Sequence, residues 1–508
     1  ATHLLGVLYD DDRFVEYLAI AEPLARAVPD RAEPHLFLGL GYHAVGRVDE
    51  AAAEFRRGLE LLPEEDRAAI QSLAPVLRRK DAQVYESLDE SARRAFEARY
   101  WAVADPLYLT EANERWIEHV ARAAYADLRF SAPEAGLRGW ETDRGIVYIR
   151  YGKPERIGVF AAEPWAGTDA YRVGSRTITW TYGPNGPTFV FQQRLGYRNA
   201  RFAGEYAQRA QDWRHVLPAL YRYPSLPVVF SVPVQIARFR GAAPDESVVE
   251  VYAGIPVDSL FQGVSLHAQE VETGFFLIDG RGDMRLRRVQ TMTLTPDATG
   301  AIRGLRTWRL VVPPDSFYYV GVEARDPLSW RTATARDTFT VARFEPGRLQ
   351  MSDILLADFL HPRVESPVDR ADLEVRPNPG MAYGVGAPVH LVYEIYDLQT
   401  DETGFAVYDV NLAVRVLSLQ REGGFAQLLG MIADAWGFTI VGDDRVEISF
   451  TREVRLEGRD RTVGWYSIDL RDAPPGEYEI RIRVTDRQTG QSAERSRRFR
   501  VVRSEVSE

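Results

Sequence analysis

The stretch Arg138-Gly-Trp-Glu-Thr-Asp-Arg-Gly-Ile-Val-Tyr-Ile-Arg-Tyr-Gly-Lys-Pro-Glu155 decides how the middle of this chain is read. Gly139 and Gly145 mark a turn, residues 146–151 alternate as a period-2 strand, and Gly152-Lys-Pro makes a second turn. Trp140 is expected to bury its ring against that strand, and Asp143 to cap the turn by accepting backbone N–H bonds. Downstream, 178–182 and 189–191 read as two further strands joined by a hairpin at Tyr182-Gly-Pro-Asn-Gly-Pro187. Residues 131–225 are thus expected to form a small α+β domain.

The same stretch holds the candidate site. Trp140, Thr142, Asp143, Arg144, Arg150, Tyr151, Lys153 and Glu155 set two carboxylates beside several cations, a combination that suits binding or activating a substrate. In an enzyme, Asp143 or Glu155 would serve as base and Arg150 or Lys153 as electrostatic stabiliser. Arg and Tyr alternating along a strand is also the pattern of a half-solvated sheet, which needs no ligand. At Gly139, Trp140, Thr142, Asp143, Gly145 and the turn Tyr151-Gly-Lys-Pro154 the chain resembles the GWxTD-domain proteins, a bacterial family of uncharacterised function. The resemblance runs upstream through 101–130 and downstream through 178–191, and covers most of the chain at family level. It implies a helical repeat before the motif and β-sandwiches after it, and it implies no reaction.

Residues 1–130 read as helical. His35, Leu38, Gly39, Tyr42, Ala51, Phe55, Gly58 and Pro63 recur at the spacing of a tetratricopeptide unit, whose small residues let two antiparallel helices approach. Pro29 lies one 34-residue period before Pro63, so 14–28 reads as the second helix of a preceding unit. Helices at 67–79, 82–88 and 90–103 are expected to cover the repeat. Asp105-Pro106 then breaks the chain before a helix through Trp116, His119, Val120, Ala123 and Ala124. His119 lacks a second His four residues away, so it reads as a packed side chain and not a zinc ligand.

From 226 onward, alternating segments between turns read as two immunoglobulin-like or fibronectin-like sandwiches, 226–345 and 346–508. Leu310, Pro314, Tyr318, Asp326, Ala333, Phe339 and Val341 recur 160 residues later as Leu470, Pro474, Tyr478, Asp486, Ala493, Phe499 and Val501. A constant offset over three strands implies duplication. Tyr478, with Tyr318 as its counterpart, is expected to form a tyrosine corner, and Asp326 and Asp486 to serve turns. The second copy carries an insertion in which Phe425, Leu428, Leu429, Ile432 and Trp436 fall on one helical face, to be covered by its own sandwich or by a partner.

The 508 residues are enough for several domains, and a net charge of -11 argues against a nucleic-acid surface. The absence of Cys excludes disulfides and thiolate chemistry, and only Lys80 and Lys153 are Lys. Scarce Met and Asn fit a warm-living source. No run is long and apolar enough to span a membrane, and nothing at Ala1 resembles an export signal. The expectation is a multidomain α+β protein without cofactor, metal or catalytic residues: a non-enzymatic scaffold at the periplasm or cell surface. It would bind protein partners through the helical repeat or the 425–436 helix. A hydrolase or carbohydrate-binding enzyme using the cluster after Trp140 is the alternative.

Overall fold

The computed structural model describes residues 2–161, 174–184, 186–210, 219, 221, 229–243, 246–261, 269–294, 304–419, 439–441, 445–469 and 473–503. The expected helix bearing Phe425, Leu428, Leu429, Ile432 and Trp436 lies outside them. The chain is a mixed α/β protein of two compact units, Ala1–Val228 with Ile278–Arg287, and Val229–Leu277 with Arg288–Glu508.

The first unit begins with helices α1 (Thr2–Asp10), α2 (Phe14–Ala27), α3 (Ala32–Ala44) and α4 (Val48–Leu61). Both ends of α4 fall 34 residues after those of α2, so the period read from the two prolines is a period of the structure. Glycine explains the close approach. A Cβ at Gly39 would lie 2.6 Å from the Phe55 ring, one at Gly58 2.8 Å from Leu36, and one at Gly41 2.7 Å from Tyr17. Next come α5 (Glu64–Gln71), α6 (Arg79–Ser87), α7 (Glu90–Ala104) and α8 (Glu114–Phe130). The helix expected over 67–79 stops at Gln71, because Pro75 cannot donate to a helical ladder and restricts the residue before it. Asn113 caps α8 by accepting from the Trp116 N–H at 2.9 Å, and the apolar face of α8 packs into the core formed by α1 to α5. His119 is fully buried, with Nε2 on the Ile70 carbonyl at 2.7 Å and its ring against Trp101.

The decisive stretch differs from the expected strand. After a 3-10 turn at Gly139–Glu141, residues Asp143–Tyr151 form helix α9. Thr142, and not Asp143, is the cap: its Oγ1 accepts from the Gly145 N–H at 3.1 Å and donates to the Gly139 carbonyl at 2.8 Å. The apparent alternation misleads because α9 is buried at Val147, Tyr148, Ile149, Arg150 and Tyr151, on nearly all sides. A helix buried all round has no period to show, and a short apolar run does not separate helix from strand. The motif glycines permit backbone contact: a Cβ at Gly139 would lie 1.9 Å from the Ala126 carbonyl of α8, and one at Gly145 1.9 Å from the Gly139 carbonyl. Strands β1 (Arg156–Ala161), β2 (Ser175–Thr181), β3 (Thr188–Arg194) and β4 (Ala200–Phe202) follow as an antiparallel sheet in that order. Trp180, Phe189 and Phe191 pack with Phe130, Tyr148 and Tyr151 of α8 and α9.

From residue 229 onward, β5 (Val229–Ser231), β6 (Val234–Arg240), β7 (Ser247–Gly254), β8 (Gln269–Asp279), β9 (Met284–Leu294), β10 (Leu305–Val312), β11 (Phe317–Arg325) and β12 (Thr332–Thr340) come first. They build sheets ordered β10-β7-β6 and β5-β12-β11-β8-β9. Then come β13 (Gln350–Met351), β14 (Leu355–Pro362), β15 (Leu373–Pro377), β16 (Ala382–Gly384), β17 (Val389–Tyr396), β18 (Phe405–Leu419) and β19 (Thr439–Val441). The last are β20 (Arg445–Arg455), β21 (Arg461–Ile468), β22 (Gly476–Asp486) and β23 (Ser492–Val502). These form one sheet ordered β13-β17-β14-β15, with β21 paired to β17, and another ordered β16-β23-β22-β18-β20-β19. Their inner faces meet in one core that includes Tyr393, Val410, Tyr478 and Phe499.

The 160-residue offset survives as register. Tyr318 pairs with Phe339 and Tyr478 with Phe499. In both hairpins the Asp closes the turn: Asp326 Oδ1 accepts from the Leu328 N–H and Asp486 Oδ1 from the Gln488 N–H. Tyr478 is fully buried and donates to the Pro474 carbonyl at 2.7 Å, whereas Tyr318 stays half-buried against Phe339. The β6–β7 sheet is locked to the β14–β17 sheet by buried polar groups. Gln235 bonds the Leu356 N–H and carbonyl, and Arg238 holds Asp353 through Nε at 2.7 Å and Nη2 at 3.0 Å.

Candidate functional site: a tyrosine-lined cleft in the first unit

The cluster expected after Trp140 does not converge. Trp140 is buried in the helical core with Arg138 over its ring, 4.6 Å from the centroid. Asp143 Oδ2 accepts from the Phe202 N–H at 2.7 Å, and Arg144 donates to the Arg198 carbonyl at 2.8 Å, so both tie α9 to the β4 end of the sheet. Burial, helped by Arg176 and Arg129, lowers the Arg144 guanidinium to about 10. Arg150 is 1% exposed and donates to the Pro75 and Leu77 carbonyls, both at 2.9 Å. Its charge fastens the segment after α5.

Tyr151, Lys153 and Glu155 do share a cleft, of about 270 Å³, with residues that sequence reasoning did not single out for it. These are Tyr9 and Phe14 from α1 and α2, His43 from α3, Glu118, Arg122 and Tyr125 from α8, Tyr148 from α9, and Tyr182. The α8 pair was visible in the sequence as an acid four residues before a base, which are neighbours on one helix face. The rest had no such signal, because they come from separate helices.

The inner wall is the ion pair of Glu118 and Arg122. Arg122 Nε donates to Glu118 Oε1 at 2.6 Å, and His43 Nε2 lies 2.9 Å from Glu118 Oε2. Burial pushes the Glu118 carboxyl up, but Arg122 and the His43 hydrogen bond outweigh it and hold the group below its usual range. Arg122 Nη1 donates to the Ile149 carbonyl at 3.1 Å. Its Nη2 lies beside Gly152, where an added Cβ would come within 3.0 Å. Gly152 takes φ +74 to end α9, and Tyr182 donates to its carbonyl at 3.0 Å.

The aromatic wall is continuous. Tyr125 stacks on Tyr148 with centroids 4.3 Å apart and meets Tyr9 at 5.2 Å, while Tyr9 meets Phe14 at 5.4 Å. Tyr125 is fixed by donating to Asp10 at 2.8 Å. The Tyr9 and Tyr148 phenols make no hydrogen bond among the described residues. Burial raises both phenols far above their usual range, and Glu118, Asp12 and Asp10 add to the rise at Tyr9. Lys153 and Asp12 form an exposed pair at the rim, 3.4 Å apart. Among the described residues no group of three or more His, Cys, Asp or Glu side chains is placed to hold a metal ion, and no described helix is long and apolar enough to cross a membrane.

A family model of the GWxTD domain matches residues 68–215, a narrower span than the resemblance suggested. It takes in α6 to α9 and β1 to β4. No curated protein matches the chain. Among solved structures, a β-glucuronidase of Bacteroides uniformis aligns with 7% identity and a TM-score of 0.17, over 24% of this chain and 13% of that one. The native α-2-macroglobulin of E. coli aligns with 12% identity and a TM-score of 0.16, over 68% of this chain and 20% of that one. This chain therefore spans a fifth or less of either protein, and at such TM-scores neither likeness carries an argument. Motif, helix cap and family match agree on one segment: residues 68–215 match the GWxTD domain.

Proposed function

We propose that this protein is a non-enzymatic scaffold or assembly component outside the cytoplasm, acting through protein partners. One observation carries the reading: Asp143, Arg144 and Arg150, three of the charged residues read as a candidate site, are fasteners within the fold. What the first unit offers at its cleft is a wall of tyrosine rings around the Glu118–Arg122 ion pair, which suits recognition. The 34-residue period and glycine-mediated contacts of α1 to α4 support a tetratricopeptide-like repeat, a module that grips peptides or partner helices. The facing sheets and the Tyr478 corner support immunoglobulin-like sandwiches, duplicated at the 160-residue offset, and their polar lock makes a stiff spacer. Placement at the periplasm or cell surface rests on analogy with such tandem sandwiches.

Glu118 and Glu155 in one cleft favour a second reading, a hydrolase or carbohydrate-binding enzyme. The two are separated by affinity capture of the tagged full chain from its source, combined with a hydrolase substrate screen. A defined partner recovered in fixed stoichiometry is the expected outcome. Turnover that disappears in Glu118→Gln or Glu155→Gln would overturn the scaffold reading.

A further inference from the structure

The cleft wall has donors without acceptors. Arg122 uses Nε on Glu118 and Nη1 on the Ile149 carbonyl, and its Nη2 makes no hydrogen bond among the described residues. The Tyr9 and Tyr148 phenols are likewise without a hydrogen-bond partner among the described residues; the Arg122 and Tyr148 side chains are buried and that of Tyr9 is half-buried at the cleft. The acceptors are already engaged: Glu118 by Arg122 and His43, Asp12 by Lys153, and Asp10 by Tyr125 and Arg129. A fitting ligand therefore brings acceptors. An anion is disfavoured at the Tyr9 end of the cleft, where Asp12 and Glu118 line the wall and Asp10 stands beside Tyr125. Nor does a cation answer the three idle donors. A volume of about 270 Å³ lies below the roughly 300–1,000 Å³ of pockets that enclose drug-sized ligands, so it holds one anchoring group and not a whole molecule.

We propose that this cleft binds an uncharged peptide segment of a partner polypeptide, its backbone carbonyls accepting from Arg122 Nη2 and the Tyr9 and Tyr148 phenols. The side chain beside those carbonyls is aromatic or aliphatic and packs on the rings of Tyr125 and Tyr148. The proposal rests on the protein-interaction reading above and adds the chemistry of the partner.

The probe is an array of N-acetylated, C-amidated heptapeptides with uncharged side chains and Tyr, Phe, Leu or Ala at the centre, titrated calorimetrically into the full-length protein. Versions with a central Glu, a central Lys or a free C-terminal carboxylate run alongside. Uncharged peptides with a Tyr, Phe or Leu centre bind best, and Tyr9→Phe and Tyr148→Phe each weaken them roughly fivefold to tenfold, the worth of one hydrogen bond. Neither substitution shifts the melting temperature, since neither phenol bonds within the fold. The proposal is overturned if no uncharged peptide binds at millimolar concentration, if only the charged versions bind, or if both Phe variants keep full affinity. A partner captured equally well by the Tyr9→Phe/Tyr148→Phe double variant would sink the cleft proposal while leaving the scaffold reading standing.

Discussion

Gly139→Ala tests why the motif needs its first glycine. The added Cβ would lie 1.9 Å from the Ala126 carbonyl oxygen, 2.3 Å from its carbon and 2.4 Å from the Asp127 Cα, all backbone of α8 that no rotamer change can move. Restoring ordinary contact requires the 3-10 turn to retreat by roughly 1.5 Å. That retreat breaks the bond from the Gly139 N–H to Asp127 Oδ1, now 3.1 Å, and unseats Trp140 beside it. Losing a hydrogen bond to a carboxylate costs about 1.5–3 kcal/mol and overpacking about 1–3 kcal/mol, so the expected loss is about 3–6 kcal/mol. For a unit of this size, each kcal/mol lowers the melting temperature by about 2–4 °C. Scanning calorimetry of the full chain should therefore show a transition lowered by roughly 10 °C. Gly204→Ala is the control, because a Cβ there meets nothing within 4 Å and its φ is not positive. It should stay within about 0.5 kcal/mol of the parent. If Gly139→Ala melts with the control, close packing is not the reason for the glycine.

Three further outcomes are expected. Trp140→Ala removes a buried indole and should cost roughly 3–5 kcal/mol in urea unfolding, an unchanged midpoint showing that the ring contributes little. Burial lowers the His119 imidazole from 6.5 to about 4, overcoming its bond to the Ile70 carbonyl. The unfolded chain therefore binds a proton that the folded chain refuses, and stability falls as pH drops from about 6.5 towards 4, by about 3 kcal/mol at most. His119→Gln should flatten that part of the pH profile, and profiles that superimpose would refute the assignment. Tyr478→Phe should lose about 1 kcal/mol with its bond to Pro474, whereas Tyr318→Phe should change unfolding by less than about 0.5 kcal/mol. Equal losses would mean that both copies make the corner.

Much of the architecture is written in local signals. Gly39, Gly41 and Gly58 announced where helices touch, because a missing side chain at helical spacing has few other uses. Tyr318 and Tyr478 announced matching hairpins, because alternation and turn residues act over a few neighbours. The stretch 143–151 carries no such local signal of its helix. Its identity as a helix depends on a Thr142 cap and on burial against α8 and the sheet, and once every side is covered the pattern of apolar residues stops recording the geometry.

The sequence by itself determined the helical first part, the β-rich second part, the 34-residue period and the hairpin registers, since each is set by contacts between residues close in the chain. Tertiary structure alone decided what the charged motif residues do and where the cleft lies. Arg150 is a fastener because the fold brings its guanidinium to carbonyls more than 70 residues away in the chain. The cleft is built from Tyr9, His43, Glu118 and Tyr148, which four different helices bring together. A one-dimensional pattern records periodicity along an element, and the meeting of side chains from separate elements is fixed only when their buried faces pack.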